Sequence, residues 1–177
     1  MKKIALAIVA LTAATPAFAQ DVAAEFTGFQ VSAIAGLDIV DLNSSEIDNP
    51  TGVSYGVNVG YDYQSGGVVF GIEGEAAESS ARVKVAGDEL LTASRDLYVG
   101  GRVGVVTNGA LVYAKVGYTN FRVESIAGDA TADGIRFGGG AEVKLRQNVF
   151  FKGEYRYSNY EAEVERHQIV AGLGVRF

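Results

Sequence analysis

Apolar and polar residues alternate with a period of two along most of the chain. In an extended strand successive side chains point to opposite sides of the sheet, so alternation of this kind predicts strands with one apolar face. No segment between the strands, or after residue 19, shows the period of a helix. The eight predicted strands are Phe26–Ile39, Gly52–Tyr63, Val68–Ala77, Arg95–Val106, Ala110–Phe121, Gly134–Leu145, Val149–Tyr157 and His167–Phe177.

The connections between these strands alternate between short and long. Short turns are predicted at 64–67, 107–109 and 146–148, and the Asn108-Gly109 pair is a strong hairpin signal. Polar loops are predicted at 40–51, 78–94, 124–133 and 158–166. This order predicts an all-β fold, an eight-stranded antiparallel up-and-down barrel closed by pairing of the last strand with the first. Closure is what would let such strands cross a membrane, because every backbone polar group is then paired within the sheet.

Alternation alone does not distinguish a transmembrane barrel from a soluble, lipocalin-type barrel. Three features favour the transmembrane form. The polar face combines glycines with long charged residues, the turns are short at one end only, and apolar-face aromatics fall at two heights, as in the girdles of membrane barrels. The low set is Phe29, Tyr61, Tyr63, Phe70, Phe151 and Phe177, and the high set is Tyr55, Tyr118, Phe137 and Tyr157.

Residues 1–19 have the features of a secretory signal peptide. Lys2 and Lys3 precede an apolar stretch, and Ala17-Phe18-Ala19 is a small-x-small cleavage pattern. The predicted domain is therefore the barrel at residues 20–177. After residue 19 no apolar run reaches the length of about 18 residues that a membrane-spanning helix needs.

Composition narrows the chemistry. The net charge is −6, and it becomes more negative without the two lysines of the signal peptide, which argues against binding of nucleic acid. The chain has no cysteine, so thiolate metal sites and thiol nucleophiles are excluded. No cofactor and no metal site is predicted.

The inward face of the predicted barrel carries charges of both signs. Eight strands enclose a space that side chains fill, and a charge buried there without a partner is costly. We therefore expect an ion-paired lumen with little or no conductance; the rival interpretation of these charges is a path for protons or ions. The predicted lumen network is Glu73, Glu75, Asp96, Arg102, Lys115, Arg136, Glu142, Lys144, Lys152, Glu154, Arg156 and Arg176.

Three short motifs, with the eight-strand pattern, carry a family resemblance. Gly-Ile-Glu-Gly-Glu at 71–75, Glu-Tyr-Arg-Tyr at 154–157 and Gly-Val-Arg-Phe at 174–177 resemble the small OmpA-like outer-membrane β-barrels of Gram-negative bacteria, also called the porin family or opacity-type surface proteins. The resemblance covers essentially all of residues 20–177. It implies location in the cell outer membrane, with lipid and lipopolysaccharide as neighbours, and a structural or adhesive role.

The last strand resembles the signal that the barrel-assembly machinery reads. Gly172, Val175 and Phe177 match that signal, whereas Val170 stands where the pattern usually has a polar residue. The resemblance thus implies contact with the assembly machinery during biogenesis. We expect a monomer whose loops meet surface ligands.

Two other functions stay open at this stage. One is a narrow passive pore for small solutes. The other is lipid A modification, because some barrels of this size are lipid A deacylases or acyltransferases. The single histidine, His167, would then act with Ser158 and with Glu161, Glu163 or Glu165, but a lone loop histidine more often has no catalytic role. We predict that the chain is not an enzyme.

Overall fold

A computed structural model of the chain describes residues 26–41, 51–79, 82–85, 88–125, 130–160 and 164–177. The predicted signal peptide lies outside the described residues. Among those residues, none forms a helix long and apolar enough to cross a membrane. The strands are β1 (Gly28–Asp41), β2 (Thr51–Ser65), β3 (Val68–Ser79), β4 (Arg82–Val85), β5 (Asp88–Thr107), β6 (Ala110–Ser125), β7 (Ala130–Lys144), β8 (Val149–Tyr160) and β9 (Val164–Arg176).

Eight of these strands close into an antiparallel barrel. The sheet runs β3-β2-β1-β9-β8-β7-β6-β5, and β3 also pairs with β5. The β3–β5 ladder extends from Val68 opposite Val105 to Glu78 opposite Arg95. The last strand pairs with the first, as the sequence predicts. The predicted eight-stranded up-and-down barrel is confirmed.

The polar segment 78–94, predicted as a loop, was wrongly assigned. β3 continues to Ser79, β4 occupies Arg82–Val85, and β5 begins at Asp88, so β4 and β5 form a hairpin beyond the closed part of the barrel. The prediction for 158–166 was wrong for the same reason, since β8 reaches Tyr160 and β9 begins at Val164. Ladder hydrogen bonds use backbone groups, so a polar composition does not by itself end a strand.

The assignment of the two faces is confirmed. Val57 and Val103 point outward and are 53% and 48% exposed, whereas Arg102 and Glu73 point inward and are 4% and 3% exposed. The exposed side of the barrel is therefore apolar and the enclosed side is charged.

Aromatic side chains on the outer face lie near both ends of the barrel. At the turn end, Phe177 packs against Phe29 with ring centroids 6.4 Å apart, and its backbone N–H donates to the Phe29 carbonyl at 2.8 Å. Tyr55, Tyr118 and Phe137 are exposed nearer the loop end. This placement agrees with the two predicted girdles.

The short turns have the chemistry that their sequences predict. Asn108 and Gly109 adopt φ angles of 50° and 77°, the left-handed conformation that the central residues of a tight hairpin turn require. Gly66 adopts a φ of 59° in the turn between β2 and β3. These residues join their strands without extra length, so one end of the barrel carries only short connections.

If the outer face meets hydrocarbon, the loss of unfolding free energy caused by a charged residue on that face must depend on how deep the residue lies in the membrane. Val99→Arg, midway along the outer face of β5, should lower the free energy of unfolding of the membrane-inserted protein by about 2–4 kcal/mol. Val105→Arg, near the turn end, should lower it by only about 0–1 kcal/mol. Urea titration of protein folded into liposomes measures both. Equal costs at the two depths would contradict an outer face buried in lipid.

Candidate functional site: the lumen

Among the residues that the structure describes, equal numbers of buried acidic and basic side chains fill the lumen. They come from the inward faces of all eight barrel strands, and the two signs balance. The seven acids are Asp38, Asp62, Glu73, Glu75, Asp96, Glu142 and Glu154, and the seven bases are Arg102, Lys115, Arg136, Lys152, Arg156, Arg166 and Arg176.

Four of these residues form a closed ring near the turn end, here called the lower ring: Asp62, Arg102, Glu142 and Arg176. Asp62 accepts from Arg102 Nε at 2.9 Å and from Arg176 Nη1 at 2.6 Å. Glu142 accepts from Arg176 Nη2 at 2.7 Å and lies 3.4 Å from Arg102 Nη2. Each charge in the ring thus lies between two charges of opposite sign.

A middle cluster follows, made of Glu73, Glu75, Lys115, Glu154 and Arg156. Lys115 Nζ lies 2.5 Å from Glu73 and 3.3 Å from Glu154. Arg156 donates to both carboxylate oxygens of Glu75, at 2.6 and 2.8 Å, and also pairs with Glu154. The two-pronged contact fixes the guanidinium plane as well as its charge.

Lys152 joins this middle cluster through a neutral partner. Its Nζ donates to Asn58 Oδ1 at 3.0 Å and lies 3.7 Å from Glu154 Oε1. Tyr113 OH donates to the same Glu154 oxygen at 2.6 Å. Glu154 is therefore the point where charges from several strands meet.

The upper cluster, nearer the long loops, consists of Asp38, Asp96, Arg136 and Arg166. Asp96 accepts from Arg136 Nη2 at 2.6 Å and from Arg166 Nη1 at 2.7 Å. Arg166 also donates to Asp38 at 2.6 Å. A contact of 3.5 Å between Arg136 and Glu75 links this cluster to the middle one.

The lower ring is linked to the middle cluster as well, because Arg102 Nη1 lies 3.9 Å from Glu73 Oε2. Ion pairs between side chains therefore form one connected network along the barrel axis, here called the ion-pair ladder to distinguish it from the backbone ladders between strands. Two tyrosines reinforce it: Tyr98 faces Lys115 Nζ at 4.7 Å, and Tyr113 faces the Arg102 guanidinium at 4.8 Å. Cations over aromatic faces gain further electrostatic stabilisation.

Inward glycines give the long charged side chains their room. A methyl group on Gly138 would lie 3.0 Å from Lys115 Cγ, and one on Gly172 would lie 2.9 Å from Lys152 Cγ. At Gly71 the distance to Arg102 Cγ would be 3.1 Å. Packing, rather than backbone freedom, therefore explains why this face pairs glycine with charge.

The turn end of the lumen is closed by an apolar plug centred on Phe26. The Phe26 side chain is fully buried and packs with Val69, Leu111 and Tyr113. Its backbone N–H donates to Gln64 Oε1 at 3.0 Å, and its carbonyl accepts from Arg176 Nη1 at 2.8 Å. The sequence prediction missed this plug. One signal was available: Phe26 lies an even number of residues before the inward-facing residues of β1, so its side chain is expected to point inward as theirs do.

The structure buries eleven of the twelve predicted lumen residues. The exception is Lys144, which is half-buried at the turn end with its Nζ 5.6 Å from the Phe26 ring centroid. Arg166 was missed because it was assigned to a loop. Asp38 and Asp62 lie on the predicted inward face and also belong to the ladder.

The Ser/His/Glu arrangement that a lipid A-modifying enzyme would need is not assembled by the described residues. Ser158 points into the lumen and accepts from Arg136 Nε at 2.9 Å. His167 points outward, where its Nδ1 lies 2.7 Å from Tyr155 OH and its ring packs against Tyr157 with centroids 5.2 Å apart. The barrel wall therefore separates the serine from the histidine. Glu161 and Glu163 lie outside the described residues.

The described residues also contain no group of three metal-ligating side chains. Each lumen carboxylate already faces a cation of the chain. What the site can do chemically is neutralise charge across the barrel while its side chains fill the lumen.

A family model decides the identity of this barrel. The outer membrane protein beta-barrel domain model matches residues 4–177. The chain belongs to this family. Its location is accordingly the outer membrane.

Two curated relatives are outer-membrane proteins of bacteria. The 25 kDa outer-membrane immunogenic protein of Brucella ovis is 28% identical over 126 residues, which are 69% of this chain and 62% of that protein. The match thus spans less than two thirds of the relative's length. The 22 kDa outer membrane protein of Rhizobium leguminosarum bv. viciae is 26% identical over 173 residues, covering 88% of this chain and 80% of that protein.

Solved structures with the same fold are also small outer-membrane barrels. Ail, the attachment invasion locus protein of Yersinia pestis, superimposes with a TM-score of 0.60 at 16% identity, covering 85% of this chain and 99% of Ail. Neisserial surface protein A gives 0.59 at 19% identity, covering 85% and 98%. At this identity the likeness concerns the fold.

If the ion-pair ladder stabilises the barrel, replacing one of its charged residues should lower the free energy of unfolding more than replacing an exposed polar residue does. Arg156→Met leaves Glu75 and Glu154 buried without their closest cation and should lower the free energy of unfolding by about 3–5 kcal/mol. The control is Glu78→Gln, since Glu78 accepts from Tyr55 OH at 2.9 Å on the exposed outer face. Urea titration in liposomes measures both variants.

Replacing Glu75 as well provides the decisive comparison. Arg156→Met combined with Glu75→Met should recover part of the loss, because the uncompensated charge is removed with its partner. An Arg156→Met variant as stable as the control would contradict a structural role for the ladder.

Proposed function

We propose that this protein is a non-catalytic outer-membrane barrel with a closed lumen, acting in membrane integrity or in adhesion through its loops. The observation that carries the proposal is the connected ladder of ion pairs along the axis. Conduction would require this ladder to separate, and separating buried charges from their partners costs several kcal/mol for each ion. The apolar plug around Phe26 adds a second closure at the turn end.

The proposed role in adhesion is supported by the proteins that resemble this chain. Ail is an attachment invasion locus protein, and one of its structures is a complex with the heparin analogue sucrose octasulfate. The Brucella relative is named as an outer-membrane immunogenic protein. We accordingly assign the contact with surface ligands to the long connections of this barrel, which join its strands at one end.

The non-catalytic part of the proposal is supported by the positions of Ser158 and His167. A nucleophile must lie within hydrogen-bond reach of its base. Here the serine is engaged by Arg136 in the lumen, whereas the histidine lies beside two tyrosines on the outer face.

Biogenesis forms a separate part of the proposal. Residues 1–19 direct export across the inner membrane. Gly172, Val175 and Phe177 then form the signal for the barrel-assembly machinery. Phe177 is exposed on the outer face at the turn end, where its ring is accessible to a partner protein. Once assembled, the barrel is a monomer surrounded by lipid and lipopolysaccharide.

A narrow passive pore is the second candidate function. It is favoured by buried polar atoms along one wall of the lumen that have no protein partner. They are Gln30 Nε2 and Oε1, Ser32 Oγ and Asn58 Nδ2, on the neighbouring strands β1 and β2. Buried polar groups are normally hydrogen-bonded, so water molecules along this wall would satisfy them.

Planar-bilayer recording separates the closed barrel from the pore. The wild-type protein should insert without stepwise channels. Replacing the four residues of the lower ring with serine should still produce none, because the middle and upper clusters and the Phe26 plug keep the lumen closed at other levels. The Glu78→Gln variant, altered on the outer face, serves as the control. Stepwise channels from the wild-type protein would overturn the closed lumen and favour the pore.

The surface role has its own test in cells. A strain lacking the protein should show increased detergent sensitivity, reduced attachment to host cells, or both. A barrel with residues 42–50 shortened should restore detergent resistance and leave attachment low, because only the loop differs. Unchanged detergent sensitivity and attachment in the deletion strain would contradict the proposed role.

A further inference from the structure

One side of the lumen holds a group of buried polar atoms that make no hydrogen bond within the part of the chain that the structure describes. Gln30, Ser32 and Asn58, on the inward faces of β1 and β2, are each at most 2% exposed. Buried polar groups are normally hydrogen-bonded, so this group requires a physical explanation. The unpaired atoms are Gln30 Nε2 and Oε1, Ser32 Oγ, Asn58 Nδ2, Glu73 Oε2, Arg102 Nη1 and Arg176 Nε.

The residues of β1, β2 and β3 in this group occupy neighbouring positions in the sheet. Gln30 lies opposite Gly60, and Gly60 lies opposite Glu73. A methyl group built on Gly60 would lie 3.1 Å from Gln30 Nε2 and 3.2 Å from Glu73 Cβ, so both side chains reach over the glycine. Ser32 lies opposite Asn58, one inward position nearer the long loops. The unpaired atoms therefore face one region of the lumen, here called the Gly60 site.

Two arginines of the lower ring add unpaired N–H groups to the Gly60 site. Arg176 lies opposite Gln30 in the β1–β9 ladder, and its Nε has no partner among the described residues. Arg102 Nη1 lies 3.9 Å from Glu73 Oε2, which is too far for a direct hydrogen bond and within the reach of one bridging water molecule. The site thus combines unpaired donors with unpaired acceptors.

A neutral ligand that both donates and accepts hydrogen bonds fits this combination. The buried acids and bases around the site are already equal in number, so an added ion would leave an uncompensated charge in the lumen. The partner atoms on the same side chains are engaged: Glu73 Oε1 lies 2.5 Å from Lys115 Nζ, and Asn58 Oδ1 accepts from Lys152 Nζ at 3.0 Å. Water has the required chemistry, and it commonly satisfies buried polar groups that lack a protein partner.

Apolar side chains bound the Gly60 site at both ends. Toward the long loops, Ile34 is the next inward residue of β1 after Ser32, and it packs with Ala77 and Val170 in a buried cluster. Toward the turn end lie the apolar plug around Phe26 and the buried Phe150 ring. The polar wall that favours a pore therefore does not continue through the lumen, and water held there exchanges slowly with the solvent.

We propose that the Gly60 site binds a small cluster of fixed water molecules that connects β1 and β2 to the ion-pair ladder. Among the described residues of β1, only Asp38, nearer the long loops, belongs to the ladder. Water bonded to Gln30 and Glu73 supplies a link at the level of Gly60, beside the pairing of the first and last strands. The inference rests on the proposed closed lumen, because a conducting lumen would let this water exchange freely.

The test is magnetic relaxation dispersion of water ¹⁷O, which counts slowly exchanging water molecules, on the protein refolded in detergent. Gln30→Met combined with Ser32→Ala removes three of the unpaired atoms with little change in size, so this variant should lose at least one long-lived water molecule. Thr119→Val is the matched control and should leave the count unchanged, because the buried Thr119 hydroxyl already donates to Asp96 Oδ1 at 3.0 Å. The heat-dependent shift on a denaturing gel checks that each variant is folded. Equal counts in the wild-type protein and the double variant would overturn the proposal.

The wild-type protein provides a second readout that needs no variant. Nuclear Overhauser effects between water and the side-chain amide protons of Gln30 and Asn58 should be observed, and their absence would also overturn the proposal.

Osmotic water permeability of proteoliposomes separates the enclosed water from a pore. Wild-type protein should leave the permeability equal to that of protein-free liposomes. A higher permeability that the double variant abolishes would overturn both the enclosed water and the closed lumen. Unchanged permeability without long-lived water would overturn the enclosed water alone.

Discussion

The structure depends on one constraint, the pairing of every backbone polar group within the sheet. Hydrocarbon offers no partner for an unpaired N–H or C=O group, so the edges of the sheet must meet. The β1–β9 and β3–β5 ladders remove them. Closure then fixes a narrow lumen, and every inward side chain must fit inside it.

That narrow lumen explains the pairing of charge with glycine. Several long cations lie inside this barrel where a neighbouring strand has a glycine, as at Lys115 beside Gly138. The cation then needs an acid within reach. Lys115 of β6 pairs with Glu73 of β3, and Arg156 of β8 pairs with Glu75 of β3, so the partners lie on strands far apart in the chain. Neutralisation across the lumen therefore links strands that share no backbone ladder.

The sequence allowed the strands and their faces to be predicted, because a period of two is visible without coordinates. It did not reveal which acid meets which base, since partners such as Arg102 and Asp62 depend on how the strands are staggered around the barrel. Arg166 was missed because the polar first residues of β9 resemble a loop in sequence, although their backbone continues the pairing between strands. The position of Phe26 on the inward face was visible in its parity, but alternation does not show that this side chain closes the end of the lumen.

The segment Gly71-Ile72-Glu73-Gly74-Glu75 shows how one strand serves both sides of the wall. Its two glutamates point inward and supply the middle cluster, while Gly74 points outward, where a methyl group would meet no atom closer than 3.8 Å. A larger residue at position 74 would not disturb the ion pairs, because its side chain lies outside the barrel. The need for charge pairing therefore does not explain this glycine. On the outer wall, Gly74 leaves open space where another residue would place a side chain.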